Sequence, residues 1–280
     1  MKIANIGINN SRNDTLTTDI SIKFVGCTSS TNHELISKAN LLNFNTVVTG
    51  HQSAGRGRAN RSWYAPANSS LLMSTLLPVP TSPEVLGLIP LAAGLAVVNF
   101  LTKLINLNKI PNINLKWPND VLIEDKKVAG ILTELTDNGI IIGIGINLTA
   151  ATPAILNATS VSEYGWENYI TEEKIPSTIL VKLAHHLVEL IQDEVSQLIN
   201  NSEKLLTNYK KQCITLNNDV SVKLPNEKII NGYAQDINDT GELILKTKDG
   251  LTLVNAGDVN IGNTKKPINF DLTTICKECR

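Results

Sequence analysis

The sequence predicts an α+β protein: a mixed β-sheet domain with helices packed on it across residues 24–213, then a small β-barrel across 214–263. Three observations carry this. Short apolar strands recur between residues 46 and 148, and helical patterns accompany them at 30–34, 85–102 and 178–200. After Cys213 the pattern changes to closely spaced strands and turns. At 280 residues the chain is long enough to bury a substantial core with a smaller companion domain.

Residues 1–23 read as an N-terminal arm, Asn- and Thr-rich over its first 20 positions. Ser30-Thr31-Asn32-His33-Glu34 opens a helix, with Thr31 and Glu34 spaced as a capping box. Strands follow at Thr46–Thr49, Leu71–Leu77, Ile113–Trp117, Val121–Glu124, Val128–Leu135 and Ile140–Leu148. Val85–Thr102 carries no charge and approaches a membrane span in length, but Gly87, Pro90 and Gly94 interrupt it. A helix buried against the sheet is expected there. Thr178–Asn200 is amphipathic, with Leu183, Leu187, Leu190 and Ile191 on one face. Val220–Leu224, Ile229–Ile237, Glu242–Lys246 and Leu251–Asn255 are the strands of the small barrel, separated by Pro225-Asn226, Asp239-Thr-Gly241 and Asp249-Gly250. Residues 264–280 read as a tail.

A net charge of −1 gives no reason to expect nucleic acid or an anionic membrane as partner. The four cysteines are dispersed with no secretory leader before them, so a reducing cytoplasm is expected. Cys276 and Cys279 have metal spacing without a second pair, and His185 and His186 diverge around a helix, so no resident metal site is expected.

Three constellations carry chemistry. His51 to Trp63 holds Gly55-Arg56-Gly57-Arg58, then Arg61 and Trp63. Its glycines admit close backbone approach, its guanidinium forks match phosphate or carboxylate oxygens, and its indole offers a stacking face. A solvated basic turn is the plain alternative. The second is Lys116-Trp117-Pro118-Asn119-Asp120, returning through Lys127 and Gly130. Pro118 breaks the strand, and lysines converging on the arginine loop suit a triphosphate or acyl-phosphate. The plain alternative is a charged hairpin tip at Asp125-Lys126-Lys127. The third is Gly143-Ile144-Gly145-Ile146-Asn147, whose glycines clear one strand face for a flat ligand and whose Asn147 suits a base edge. Tight strand packing explains such glycines almost as well.

In this order the three segments, with Ser30-Thr31-Asn32 and Gln52, resemble the biotin protein ligases over residues 24–262. The resemblance implies a class II aminoacyl-tRNA synthetase-like domain of the biotin–lipoate ligase type and an SH3-like C-terminal barrel. It implies that Ser30, Thr31, Asn32 and Gln52 bind biotin, the first three beside the ureido ring. Arg56, Gly57 and Arg58 would close over the bound acid and α-phosphate, with Gly130 beside the vitamin. Lys127 would touch the carboxylate or acyl-phosphate oxygens, and Lys116 the phosphates. Arg61, Trp63 and Asn147 would serve the adenylate, Trp63 by stacking near adenine or ordering the closed loop. Asp120 would position or deprotonate the acceptor lysine. Arg56, Lys116, Asp120 and Lys127 are thus the expected catalytic set.

The implied activity is ATP-dependent biotinylation, with Mg²⁺ accompanying ATP, of a lysine on the biotin carboxyl carrier domain of acetyl-CoA carboxylase or another biotin-dependent carboxylase. A monomer or homodimer is expected, without membrane or DNA partners. The catalytic domain begins near residue 24, which leaves no recognition helix before it, so a repressor role is not expected. The alternatives are a lipoate–protein ligase and a non-catalytic biotin-binding module.

Overall fold

The computed structural model describes residues 19–38, 44–59, 61–78, 82–105, 111–149, 157–166 and 174–262. Most of the expected N-terminal arm, the tail, and the Cys276/Cys279 pair lie outside the described residues.

The larger sheet has seven strands: β1 (Ile22–Val25), β2 (Thr46–Thr49), β3 (Ser70–Leu77), β4 (Ile113–Lys116), β5 (Asp120–Ile123), β6 (Lys126–Thr136) and β7 (Gly139–Asn147). Their order is β1-β2-β3-β7-β6-β5-β4. β1 and β2 are parallel, joined by helix α1 (Thr31–Lys38), and the other pairings are antiparallel, so the sheet is mixed as expected. β7 is central, and all nine of its residues are buried.

Alternation along the strands divides the sheet's faces. Leu35 of α1 packs with Val47 and Ile141 on one face. The opposite face meets α3 (Ile89–Leu104) and α4 (Ser177–Asn200), where Val48, Ile140, Ile142 and Ile144 join the main core. The uncharged stretch is therefore a core helix. It breaks at Gly87–Leu88, leaving the short α2 (Pro83–Leu86) ahead of α3. The break lets Gly87 lie against the backbone of Thr240, where a Cβ would collide.

Helix α5 (Ser202–Gln212) leads to a second sheet of β8 (Asp219–Lys223), β9 (Ile229–Ile237), β10 (Leu243–Thr247), β11 (Gly250–Val254) and β12 (Asp258–Ile261). It is antiparallel, in the order β11-β10-β9-β8-β12. Gly241 and Gly250, in two of the expected turns, have positive φ of 86° and 114°, backbone that side chains resist. Trp117 Nε1 donates to Gly241 O at 2.9 Å, and Ile214 N to Leu115 O at 2.9 Å, so the β4–β5 corner is pinned to the chain entering the small sheet.

Two local expectations are corrected. Thr31 does not cap α1: the helix starts at Thr31, and Glu34 N bonds to Ser30 O. Thr31's hydroxyl is taken by Gln52 and Ser74, while Glu34 accepts from Thr28, so tertiary partners outcompete the local box. His185 and His186 do not diverge fully, since both ring Nδ1 atoms approach Glu189, at 3.7 and 3.3 Å. Among the described residues no group of three or more His, Cys, Asp or Glu is placed to hold a metal.

Candidate active site

The α1-side face of the sheet supplies a floor in rows. Leu72, Gly145, Gly130, Asp120 and Lys116 stand opposite one another across five strands. Ser74, Gly143 and Leu132 form the next row, and Leu76, Ile141 and Glu134 the one after. Residues opposite one another share a face, so three glycines and four polar side chains are gathered on one surface. A register shift between Val121 and Leu122 leaves Val128 unopposed on β6. That bulge reverses the alternation, burying Val128 in the core and turning Lys127 to the Asp120 side.

Above this floor lies an inner cavity of about 340 Å³. Its walls include Ser30, Thr31, Asn32 and Gln52 at one end, and Arg56, Gly57, Arg58, Arg61 and Trp63 at the other. Asp120, Lys127, Gly130 and Asn147 complete the set read from the sequence. Lys116 is the exception: it is not on the wall but pairs across strands with Asp120. Burial pushes the Lys116 ammonium below the usual lysine range, with Lys127 and Arg61 adding to the fall and Asp120 and Asp258 opposing it.

The α1 end is closed and polar. Ser30, Thr31 and Asn32 are 5, 4 and 3% exposed. Thr31 N and Oγ1 donate to Gln52 Oε1 at 2.8 and 3.1 Å. Ser74 Oγ reaches both Thr31 Oγ1 and Asn32 Oδ1. Gly143 leaves the space that Asn32's amide fills.

The other end is cationic. The loop closes on itself through Trp63 N to Gly55 O at 2.8 Å and Gly57 N to Arg61 O at 2.7 Å. Each arginine also leans on another element: Arg56 on Glu134 at 2.8 Å, Arg58 on Asn119 at 3.1 Å, and Arg61 on Asp258 of the small sheet at 2.5 Å. Burial lowers the Arg58 pKa, with Arg61 adding to the fall and Asp258 and Asp120 opposing it. Lys127 Nζ lies 2.7 Å from Asp120 and 5.4 Å from the Trp63 ring centroid.

One expectation changes here. The cleared strand face is filled by the protein itself: a Cβ at Gly145 would lie 2.5 Å from the Trp63 indole, and one at Gly130 2.7 Å from it. Trp63 therefore rests in the glycine groove, and its Nε1 has no hydrogen-bond partner among the described residues. Asn147 has its amide nitrogen committed to Thr159 O at 3.1 Å. That uses one of the two N–H groups on this nitrogen, and Asn147 remains on the cavity wall.

An outer cleft of about 1130 Å³ opens on the far side of the arginine loop, between the two sheets. Its lining includes Arg56, Arg58, Pro118 and Glu134, and from the small domain Lys223, Thr240 and Asp258. Ser74, Glu134 and Asp258 were missed in the sequence. Ser74 and Glu134 had a faint signal as polar residues inside apolar strands. Asp258 had none, because Arg61 is 197 residues away.

The Biotin/lipoate A/B protein ligase family model matches residues 21–149, and that of the Biotin protein ligase C terminal domain residues 215–262. A biotin--[acetyl-CoA-carboxylase] ligase of Mycobacterium tuberculosis is 32% identical over 84% of this chain and 86% of that protein. The bifunctional ligase/repressor BirA of Escherichia coli is 26% identical over 85% of this chain and 73% of its own length. Among solved structures, biotin protein ligase from Aquifex aeolicus in complex with biotin and ATP shares the fold, with a TM-score of 0.69 at 23% identity over 87% of this chain and 99% of that one. The matched segments are those that build the inner cavity and the small sheet, and the chain belongs to the biotin protein ligases of the biotin/lipoate A/B protein ligase family.

Proposed function

We propose that this protein joins biotin to a lysine of a biotin carboxyl carrier domain in two steps, using ATP. Biotin's carboxylate attacks the α-phosphorus of ATP, forming biotinoyl-5′-AMP and releasing pyrophosphate. The lysine amine then attacks the acyl carbon, giving the amide and AMP, and the amine's proton leaves to solvent. No enzyme nucleophile is required, so the protein's contributions are positioning, charge stabilisation and protection of a water-labile anhydride.

One observation carries this reading. Residues spread from 30 to 147 converge on a single cavity with a neutral polar end and a cationic end. Ser30, Thr31, Asn32 and Gln52 present donors and acceptors suited to a cyclic urea, which supports biotin over lipoate, whose dithiolane ring offers no such partners. Arg56, Arg58, Arg61, Lys116 and Lys127 would balance the charge that moves onto pyrophosphate. Magnesium arrives with ATP as part of the substrate, and Asp120 is the acid on the inner cavity's described wall that it would meet. Asp120 is engaged by Lys127, which supports a positioning role toward the acceptor lysine.

The net charge of −1 supports a modifying enzyme over a DNA-bound repressor. Salt-sensitive, sequence-specific operator binding would overturn that. Free Cys27 and Cys213 support a reducing compartment such as the cytoplasm. Incubation with MgATP, a carrier domain and either biotin or lipoate tests the central reading. A mass gain with biotin alone is expected; a gain with lipoate alone, or none at all, would refute it.

A further inference from the structure

On the described wall of the inner cavity, three cations already hold carboxylates: Arg56 holds Glu134, Arg61 holds Asp258, and Lys127 holds Asp120. Arg58 is different. Its Nη1 donates to the neutral amide of Asn119, at 3.1 Å from Oδ1, and Asp258 and Asp120 act on it only at longer range. Asn119 sits in the turn before β5, and its own amide is fixed. Nδ2 donates to Ile131 O at 2.9 Å, and Ile131 N returns a bond to Asn119 O at 3.0 Å. With Nδ2 committed to a carbonyl, Oδ1 is left to face the guanidinium. An aspartate there would lose the bond to Ile131 and cancel the charge on Arg58. The amide fixes the direction of the guanidinium and leaves its charge whole. Burial makes a charge without a counter-ion costly, so this position is built to receive an anion. Both residues line the inner cavity and the outer cleft, so the guanidinium stands on their shared boundary.

We propose that Asn119 is a positioning residue that aims the Arg58 guanidinium at an incoming phosphate of ATP while leaving its charge unneutralised. The proposal rests on the reading of the cationic end as the ATP site. A phosphoryl oxygen that approaches Arg56, Arg61 or Lys127 competes with a carboxylate already in place. At Arg58 it displaces no anion and meets N–H donors whose direction is set. Arg58 is therefore the cation of the described wall that ATP engages without breaking an ion pair, and Asn119 sets the angle at which it does so.

The test is ATP–pyrophosphate exchange by the full chain with biotin and MgATP, giving KM for ATP and kcat, alongside biotin affinity by calorimetry. Asn119→Ala should raise KM for ATP by about tenfold, as for loss of one hydrogen bond to a charged group. Biotin's Kd should rise less, because the polar end is held by Gln52, Ser74 and Glu134 instead. Arg58→Gln should raise KM for ATP at least as far. The double variant should be no worse than Arg58→Gln alone, since Asn119 acts through Arg58. Asn119→Asp keeps the volume and the acceptor, so it keeps the test open if Asn119→Ala does not fold. It sets a carboxylate against Arg58 and should raise KM for ATP by about tenfold or more.

An unchanged KM for ATP in either Asn119 variant, equal rises in KM for ATP and Kd for biotin, or additive effects in the double variant would overturn the positioning role while leaving the ATP site intact. Wild type without biotin-dependent exchange would overturn the function reading and the positioning role together.

Discussion

At the α1 end of the inner cavity, Ser30, Thr31 and Asn32 are almost fully buried and held by Gln52, Ser74 and Glu134. At the loop end, Arg56 and Arg61 are exposed, and the arginines rest on groups borrowed from β6, the β4–β5 turn and the small sheet. The difference is one of pre-organisation. A neutral ring gains affinity only where donors and acceptors already stand in place, because each misplaced buried group costs its full desolvation. Cations that receive a triphosphate and release pyrophosphate work through longer-range attraction, and they have to exchange partners during the reaction.

The largest expected break of this contrast is Lys127→Ala. It removes the cation that pairs with Asp120 on the cavity wall and should slow ATP–pyrophosphate exchange by about 10²–10³-fold, as for loss of one transition-state donor. Biotin binding by calorimetry should persist. Normal turnover in that variant would remove Lys127 from the mechanism.

Next in size is Ser74→Ala at the rigid end. Thr31 and Asn32 would lose a buried donor, at a cost of about 1–3 kcal/mol. Biotin's Kd should rise by about tenfold or more, while KM for ATP changes little. Equal damage to both constants would mean the two ends are not separately organised.

The third prediction concerns pH. Lys116's pKa is lowered because burial disfavours its charged form, so it sheds its proton below the pH at which a solvated lysine does. The charge that attracts ATP is present below the folded pKa and lost above it. KM for ATP should therefore rise on an alkaline limb, up to about tenfold per pH unit, earlier than for an ordinary lysine. Lys116→Arg should shift that limb upward, and an unmoved limb would assign it to another group.

Asp258→Asn is the mildest. The Arg61–Asp258 pair is half exposed, at 53 and 40%, so its loss is worth about 1 kcal/mol or less. KM for ATP should change by about fivefold at most, and high salt should erase the difference between variant and wild type. A far larger effect would make the small domain part of the cationic end.

The strands from Thr46 to Asn147 were legible because they are apolar or alternating segments bounded by turn residues. β1 and β12 were missed, each four residues long with one fully buried side chain between them, and α5 was missed because only Leu205, Leu206 and Tyr209 of its eleven residues are buried. Such elements are made by their neighbours more than by their own pattern. The site was legible as a set of residue types, since Gly-Arg-Gly-Arg, a tryptophan and paired lysines are poor choices for a core. The direction in which each side chain points was not.

By itself, then, the sequence determined the alternation that makes the sheet, the uncharged helix beneath it, and the inventory of donors and cations, because these follow from local periodicity and chemistry. Only the tertiary structure decided that a bulge at Val128 turns Lys127 toward Asp120, that Trp63 rather than a ligand lies on Gly130 and Gly145, and that Glu134 and Asp258 hold the arginine loop. Register and long-range pairing depend on how strands meet, and no single segment of the chain contains that information.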